Sequence, residues 1–211
     1  MGAVVKQSER LGERARARRW DKMLCVFPDL HDMRVLDLGG TPAFWSQAPV
    51  KPRAVHAVNL DPSWRGYDDG SVSYGCGDAT EFEPAQGYDL VVSNSLIEHV
   101  GGHAMRLRLA EVINRSAPRH WVQTPYRFFP VEPHWLAPAI QWFPFPARVA
   151  LARRWPKGRA GVHHPERLKA ADLVSWVDLL TITEMEMYFP SSRIWVERFA
   201  GLPKSITAVR A

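Results

Sequence analysis

Polar residues and glycines follow four apolar runs in the first half of the sequence, at the point where each run ends. In chain order they are Asp37, Gly39, Gly40 and Thr41, then Asn59, Leu60 and Asp61, then Asp78 and Ala79, and finally Ser93, Asn94 and Ser95. If the runs are parallel strands, these residues share the sheet edge at which open α/β folds bind ligands. Glycine allows a close backbone approach, and carboxylates accept hydrogen bonds. The pattern therefore predicts a ligand-binding site.

The first group lies in VLDLGGTPAFW, Val35 to Trp45, which is typical of a turn from a strand into a helix. Two adjacent glycines stand there instead of the full G-x-G-x-x-G spacing of a pyrophosphate-binding loop. Asp61 follows at about twenty residues, a spacing that suits hydrogen bonds from ribose hydroxyls. Asp78 offers an acceptor for an exocyclic amine. The glycines alone leave three interpretations open: a working cofactor site, a decayed one, or only a tight turn.

The elements that would position these residues alternate along the chain. Predicted strands lie at residues 33–40, 54–61, 71–79, 87–100 and 120–125, and predicted helices at 8–30 and 105–118. This order indicates βαβ units, a parallel sheet and helices on both faces. Two later strand-like runs, 179–190 and 202–211, joined by residues 191–201, predict an antiparallel pair at the sheet edge. We expect a single domain over residues 1–211.

In this order, the stretches VLDLGG, AVNLD, GDA and YDLVVSNSLIEHV resemble the motifs of class I S-adenosylmethionine-dependent methyltransferases. The similarity is to the small-molecule, methyltransferase type 11-like group and covers residues 33–125. It implies an α/β, Rossmann-like, doubly wound fold whose seven-stranded sheet is mostly parallel and ends in an antiparallel C-terminal pair. It also implies S-adenosyl-L-methionine as the cofactor, which has no phosphate, so a pyrophosphate loop is not required.

The resemblance implies a role for each group of residues. Asp37 and the backbone of residues 39–41 would lie along the methionine part of the cofactor. Asp61, with the nearby Asn59, would lie at the ribose. Leu60 and residues 78–79 would lie at the adenine, and residues 93–95 near the sulfonium. The family usually has D-x-G-x-G at the first turn, and here Thr41 occupies the second glycine position. Its side chain either narrows the approach or bonds the cofactor carboxylate through its hydroxyl.

Methyl transfer is an in-line displacement, and an oxygen acceptor also needs a base. His99 is the leading candidate because an unperturbed histidine titrates near ~6.5. His134 is the second candidate, and Tyr126 could orient or gate the acceptor. SLIEHV also resembles the Glu-x-x-Glu-His stretch of metal-assisted quinone O-methyltransferases, but Ser95 replaces the first glutamate. Only Glu98 and His99 remain, which make a poor site, so we predict no bound metal.

The segment from Tyr126 to Lys169 does not fit the alternation and is predicted to be a lid-like insertion over the strand ends. It is rich in aromatic residues, and its basic residues outnumber its acidic ones. This favours an apolar lining or an exposed patch. We expect a small hydrophobic, natural-product or lipid-linked hydroxyl acceptor, with peripheral membrane contact through residues 126–159 as a further option.

The bulk composition leaves other functions open. The net charge of +5 and the pI near 9.5 permit a nucleic-acid partner. Against a nucleic-acid methyltransferase, no NPPY-type stretch follows the fourth strand, where the sequence reads SNSLIEH. A non-catalytic binding protein with this fold is the remaining alternative. Two cysteines and an N-terminus without an apolar core predict a cytoplasmic protein. The oligomeric state stays open.

Overall fold

The strands of the protein form one large sheet and a small ribbon. The computed structural model describes residues 16–84, 87–135, 137–154 and 166–211. The strands are β1 Arg34–Leu38, β2 Ala54–Asn59, β3 Val72–Cys76, β4 Leu90–Asn94, β5 Arg119–Pro125, β6 Val131–Glu132, β7 Ala137–Pro138, β8 Arg193–Phe199 and β9 Leu202–Arg210. The order β3-β2-β1-β4-β5-β9-β8 forms the large sheet, and β6 pairs with β7. β1 to β5 are parallel, whereas β9 is antiparallel to both β5 and β8. The predicted fold class is therefore confirmed.

Helices cover both faces of the sheet. They are α1 at residues 16–26, α2 Pro42–Ser46, α3 His103–Ser116, α4 Phe145–Ala152, α5 Arg167–Ser175 and α6 Ile182–Tyr188. Short 3₁₀ turns lie at Leu30–Asp32, Pro62–Trp64 and Ile140–Trp142. α1 stops earlier than the predicted helix 8–30, because the residue before Pro28 is disfavoured in helical geometry. Residues 8–15 of that prediction lie outside the described residues.

Alternate residues of the strands feed two different cores. Leu36 and Leu38 of β1 join the core that α3 and α6 complete. Val35 of β1 joins the opposite core, which contains Trp45 and the apolar face of α1. Because parallel strands are covered on both faces, they appear in the sequence as continuous apolar runs. Because both faces of these strands are covered, the polar residues that follow them lie at the carboxyl-end edge of the sheet, which the helices do not cover.

One predicted strand is wrong. Residues 179–190 were expected to form the first strand of the C-terminal pair, but they contain α6. Thr181 caps this helix: its hydroxyl accepts from the Glu184 amide at 3.2 Å, while the Glu184 carboxylate accepts from the Thr181 amide at 2.7 Å. This capping box stabilises a helix start more strongly than the alternating pattern favours a strand. The actual partner of β9 is β8, within the stretch 191–201 that was expected to be a connector.

The predicted insertion folds around a small core of its own. The core combines residues around β7 and α4 with α5, which extends beyond the predicted end at Lys169: Trp135, Ala137, Ile140, Val149, Ala152, Ala170 and Val174. Leu136 and residues 155–165 lie outside the described residues. Within the described ranges, no helix has the length and apolar character needed to cross a membrane.

Candidate functional site

A cavity of about 480 Å³ opens at the carboxyl ends of the parallel strands. Six of the residues predicted to bind the cofactor line it: Gly39, Asn59, Leu60, Asp78, Ala79 and Ser95. The volume lies within the range of about 300–1,000 Å³ that small-molecule sites occupy. The shared lining follows from the topology, because β1 to β4 are parallel neighbours whose ends meet at one edge.

The glycine turn after β1 is fixed from two sides. Gly39 has a φ of +82°, and a Cβ there would lie 2.9 Å from Leu96, so a side chain is excluded on both grounds. A Cβ on Gly40 would overlap the Asp37 carboxylate. From β2, the Asn59 amide donates to the carbonyl oxygens of Gly39 at 2.8 Å and Gly40 at 3.3 Å. The backbone of the turn is therefore held rigidly beside the cavity.

Asp37 lies beneath this turn and is not among the residues that line the cavity. It is 1% exposed and accepts a hydrogen bond from the Trp45 indole at 2.7 Å. Burial raises the pKa of Asp37 to about 7. Thr41 is the N-cap of α2, with an extended backbone and no side-chain cap bond. Gly40 and Thr41 also lie outside the cavity lining, so this turn presents mainly Gly39 to the cavity.

The two predicted nucleoside-binding carboxylates are both engaged in local turns. Asp61 Oδ1 accepts from the Ser63 amide at 2.9 Å and caps the Pro62–Trp64 turn. Hydrogen bonding to the Ser63 side chain, and then to its backbone amide, holds the pKa of Asp61 below its ordinary value. Asp78 Oδ1 accepts from the Thr80 amide and hydroxyl, both at 2.8 Å. Asp78 lines the cavity, whereas Asp61 is exposed beside Leu60 at its rim.

The end of β4 separates two cavities. Ser93 is buried, and Ser95 has a φ of +54°, which ends the strand well before the predicted limit at residue 100. The Ser95 amide donates to the Gln123 carbonyl at 2.8 Å. Ser95 and Asn94 line a second cavity of about 300 Å³, which α1 closes on the far side. A non-glycine residue in this conformation is held there by its surroundings, as is common at functional sites.

Two of the three predicted catalytic residues meet beside the main cavity. His99 lines it, and its ring centroid lies 4.3 Å from that of Trp176 and 5.0 Å from that of His134. His134 is 7% exposed. Tyr126 does not line the cavity. Its ring contacts Phe128 at 5.6 Å between centroids, and its backbone forms an isolated parallel bridge with Leu180.

Two residues of the site, Glu132 and Trp176, were not identified from the sequence, and Glu98 was considered there only as a possible metal ligand. Glu98 is 1% exposed, its Oε2 accepts from Thr124 at 2.9 Å, and burial raises its pKa to about 7. His134 Nδ1 lies 2.7 Å from Glu132 Oε1. Trp176 lines the cavity from the end of α5. The Glu-Pro-His spacing in VEPHW could have suggested the Glu132–His134 pair, whereas no local signal singles out Trp176.

No family model and no curated protein matches this sequence. Among solved structures, a proposed O-methyltransferase from Nostoc punctiforme PCC 73102 has a TM-score of 0.55 and 15% identity. The match covers 92% of this chain but only 56% of that protein, so this chain spans little more than half of its length. The N-methyltransferase NodS from Bradyrhizobium japonicum WM9 has a TM-score of 0.54 and 11% identity, over 93% of this chain and 95% of its own.

NodS has also been solved with S-adenosyl-L-homocysteine bound. A proposed zinc-dependent alcohol dehydrogenase from Rhodobacter sphaeroides matches with a TM-score of 0.57 and 11% identity, over 91% of this chain and 87% of its own. At these identities the similarity establishes the fold alone. That fold, including the antiparallel C-terminal pair, is the class I S-adenosylmethionine-dependent methyltransferase fold.

Proposed function

We propose that the protein is an S-adenosyl-L-methionine-dependent methyltransferase that holds its cofactor in the cavity at the ends of β1 to β4. The observation that carries the proposal is the lining of this cavity, which combines a side-chain-free turn at Gly39 with polar groups from three further strand ends. The volume of about 480 Å³ suits a cofactor of this size. When bound, the cofactor supplies an electrophilic methyl group on sulfur.

Each side of the cavity fits one part of that cofactor. The turn held by Asn59 would bind the methionine part through backbone groups, and Asp61 would accept from ribose hydroxyls with its remaining oxygen. Leu60, Asp78 and Ala79 would enclose the adenine, since they supply an apolar surface and an acceptor. Ser95, between the two cavities, would then lie at the sulfonium end.

The acceptor is proposed to be a hydroxyl compound bound near His99. This imidazole is the basic side chain that lines the cavity beside the Ser95 end, and we assign to it the activation of the acceptor. Its ring is fixed against Trp176, and His134 lies directly behind it. A fixed ring supports catalysis because holding reacting groups in a productive orientation can remove about 7–11 kcal/mol from a barrier.

The proposal that the acceptor is hydrophobic rests on exposed aromatic side chains of the insertion. Phe128, Trp142, Phe143 and Phe145 are about half exposed and line one surface groove together with Arg127 and Arg148. Trp135 and Ile140 of the same segment pack instead into the small core. The exposed set, with adjacent positive charge, would suit an apolar or lipid-linked acceptor and contact with an anionic membrane surface.

Calorimetry with S-adenosyl-L-homocysteine tests cofactor binding. The wild-type protein should bind it, and Asn59→Ala should bind it more weakly because the glycine turn loses its support from β2. Asn114→Ala serves as the matched control, since Asn114 lies on α3 and pairs with Arg210 away from the cavity. No binding by the wild-type protein at millimolar concentration would leave only a non-catalytic role for the fold.

Labelled S-adenosylmethionine tests the acceptor. Phenols and long-chain alcohols should be methylated, and amines of the same shape should not be. Preferential methylation of the amines would overturn the oxygen assignment.

Flotation with anionic vesicles tests the membrane option. Replacing Trp142 and Phe143 by serine should abolish flotation, while serine at Leu168, exposed on α5 outside 126–159, should leave it unchanged. Wild-type protein that does not float removes this option.

A further inference from the structure

Three potential metal ligands meet at the acceptor side of the cavity. Glu98 and His99 lie in the turn after β4, and His134 lies in the turn between β6 and β7. Each can offer one nitrogen or oxygen atom, and these atoms lie within 4.8 Å of one another. In the sequence, only Glu98 and His99 are adjacent and stand out as a pair of ligands. The insertion supplies the third, and three protein ligands are the usual number for a catalytic zinc site.

Both imidazoles are oriented from behind by hydrogen-bond acceptors. His99 Nδ1 lies 3.1 Å from the backbone carbonyl of Trp176, and His134 Nδ1 lies 2.7 Å from Glu132 Oε1. A carbonyl oxygen and a carboxylate oxygen only accept, so each Nδ1 carries the hydrogen. In the neutral ring, Nε2 then keeps its lone pair. Metal-binding histidines are typically oriented in this way.

The carboxylate of the cluster is half satisfied. Glu98 is 1% exposed, and its Oε2 accepts from the Thr124 hydroxyl at 2.9 Å. Its Oε1 makes no hydrogen bond within the part of the chain that the structure describes. His99 Nε2, at 4.0 Å, is beyond hydrogen-bond distance from this oxygen. Burying an unpaired carboxylate oxygen is costly, and a bound cation would compensate it.

From this arrangement we propose that Glu98, His99 and His134 bind a divalent transition-metal ion of the zinc class. Two imidazoles and one carboxylate are the ligands of a zinc-type site, whereas magnesium and calcium prefer oxygen ligands throughout. Three ligands from the protein leave a coordination position for a further molecule. His99 also lines the cavity, so that position belongs to the acceptor side.

The role of the ion rests on the proposed function. A divalent ion lowers the pKa of a hydroxyl bound to it, which would prepare an alcohol or phenol for methylation near neutral pH. In this arrangement His99 acts on the acceptor indirectly, as a ligand of the metal ion, and the hydroxyl proton of the acceptor is released to water. The ion would also fix the position of the oxygen, so that a hydroxyl compound is favoured over an amine of the same shape.

Metal binding is measured with Zn²⁺ alone on chelator-treated full-length protein, by competition with a chromophoric chelator. We expect one equivalent to bind tightly. Glu98→Gln and His134→Ala should each abolish tight binding, and Glu132→Gln should weaken it roughly 10–100-fold through the lost support of His134. Replacing His163 and His164 together by alanine is the control for adventitious binding elsewhere and should change nothing. Circular dichroism verifies that each variant is folded.

Substitution with Co²⁺ gives a readout that does not depend on affinity. A site with two nitrogens and one carboxylate should give visible d–d bands of a low-symmetry complex, and these bands should be lost in His134→Ala. The inference is overturned if wild-type protein binds less than one equivalent of Zn²⁺, or if His134→Ala keeps wild-type affinity. Zinc binding without S-adenosylhomocysteine binding would support the metal site and reject the proposed function. S-adenosylhomocysteine binding without zinc binding would reject the metal site and leave the proposed function standing.

Discussion

The buried carboxylate beneath the glycine turn makes a specific prediction about stability and pH. Burial raises the pKa of Asp37 from 3.8 to about 7, while one oxygen accepts from the Trp45 indole. The folded protein therefore binds this proton more tightly than the unfolded chain does. It follows that the free energy of unfolding falls as the pH rises from about 4 to about 7, and is constant for this group above that.

The magnitude follows from the same pKa values. A rise from 3.8 to about 7, at 1.36 kcal/mol per pH unit, corresponds to at most about 4 kcal/mol. Asp37→Asn keeps the shape and an acceptor for Trp45 but has no charge to bury. Compared with the wild type, the variant should gain stability progressively between about pH 4 and pH 7, by up to ~4 kcal/mol.

Urea unfolding followed by tryptophan fluorescence, repeated across this pH range, measures the difference. Asp32→Asn removes one negative charge from an exposed position and serves as the matched control. Parallel pH profiles for Asp37→Asn and the wild type would refute the reasoning. Since Asp37 does not line the cavity, both proteins should bind S-adenosylhomocysteine equally. A tenfold loss of affinity in the variant would instead indicate direct contact with the cofactor.

Three further predictions concern single side chains. Asp61→Ala should weaken S-adenosylhomocysteine binding roughly tenfold or more in calorimetry. Asp61→Asn retains a cap for Ser63 and should lose nearly as much affinity, and full affinity in this variant would make Asp61 only a cap. His99→Ala should reduce turnover about 10²–10⁴-fold at unchanged cofactor affinity, and wild-type turnover would remove its assignment. Thr181→Ala should cost about 1 kcal/mol in urea unfolding, because α6 loses its cap to Glu184; an unchanged midpoint would contradict this.

The strand-end lining of the main cavity was predictable because each of its residues follows a strand that can be recognised in the sequence. Each polar group follows a strand that is buried on both faces, and such strands stand out as apolar runs in a sequence. Once the strands are parallel, their ends meet without any further information. Thus Gly39, Asn59 and Asp78 reach one cavity although they are far apart in the chain. What the pattern could not supply was the orientation of Asp37, which turns under the loop to Trp45.

The side of the cavity at His99 was less predictable because tertiary contacts assemble it. His134 reaches the turn after β4 only because the insertion folds around a core shared with α5, and α5 also brings Trp176 over His99. The Asp178 amide then donates to the Glu98 carbonyl at 3.0 Å, which joins the end of this unit to the same turn. No local periodicity records such contacts. The alternating pattern of residues 179–190 was misleading for a different reason, since the local capping box between Thr181 and Glu184 decided between strand and helix.

This division has a consequence for specificity. The groups assigned to the cofactor come from strand ends that the sheet holds in register, whereas His134, Glu132 and Trp176 come from the separately packed insertion and α5. Changes within 126–175 can therefore alter the proposed acceptor, or the proposed ion, without replacing any residue that lines the main cavity. His134→Ala should accordingly separate the two, with zinc binding and turnover lost while S-adenosylhomocysteine binds as before. Loss of all three together would mean that the insertion supports the whole site.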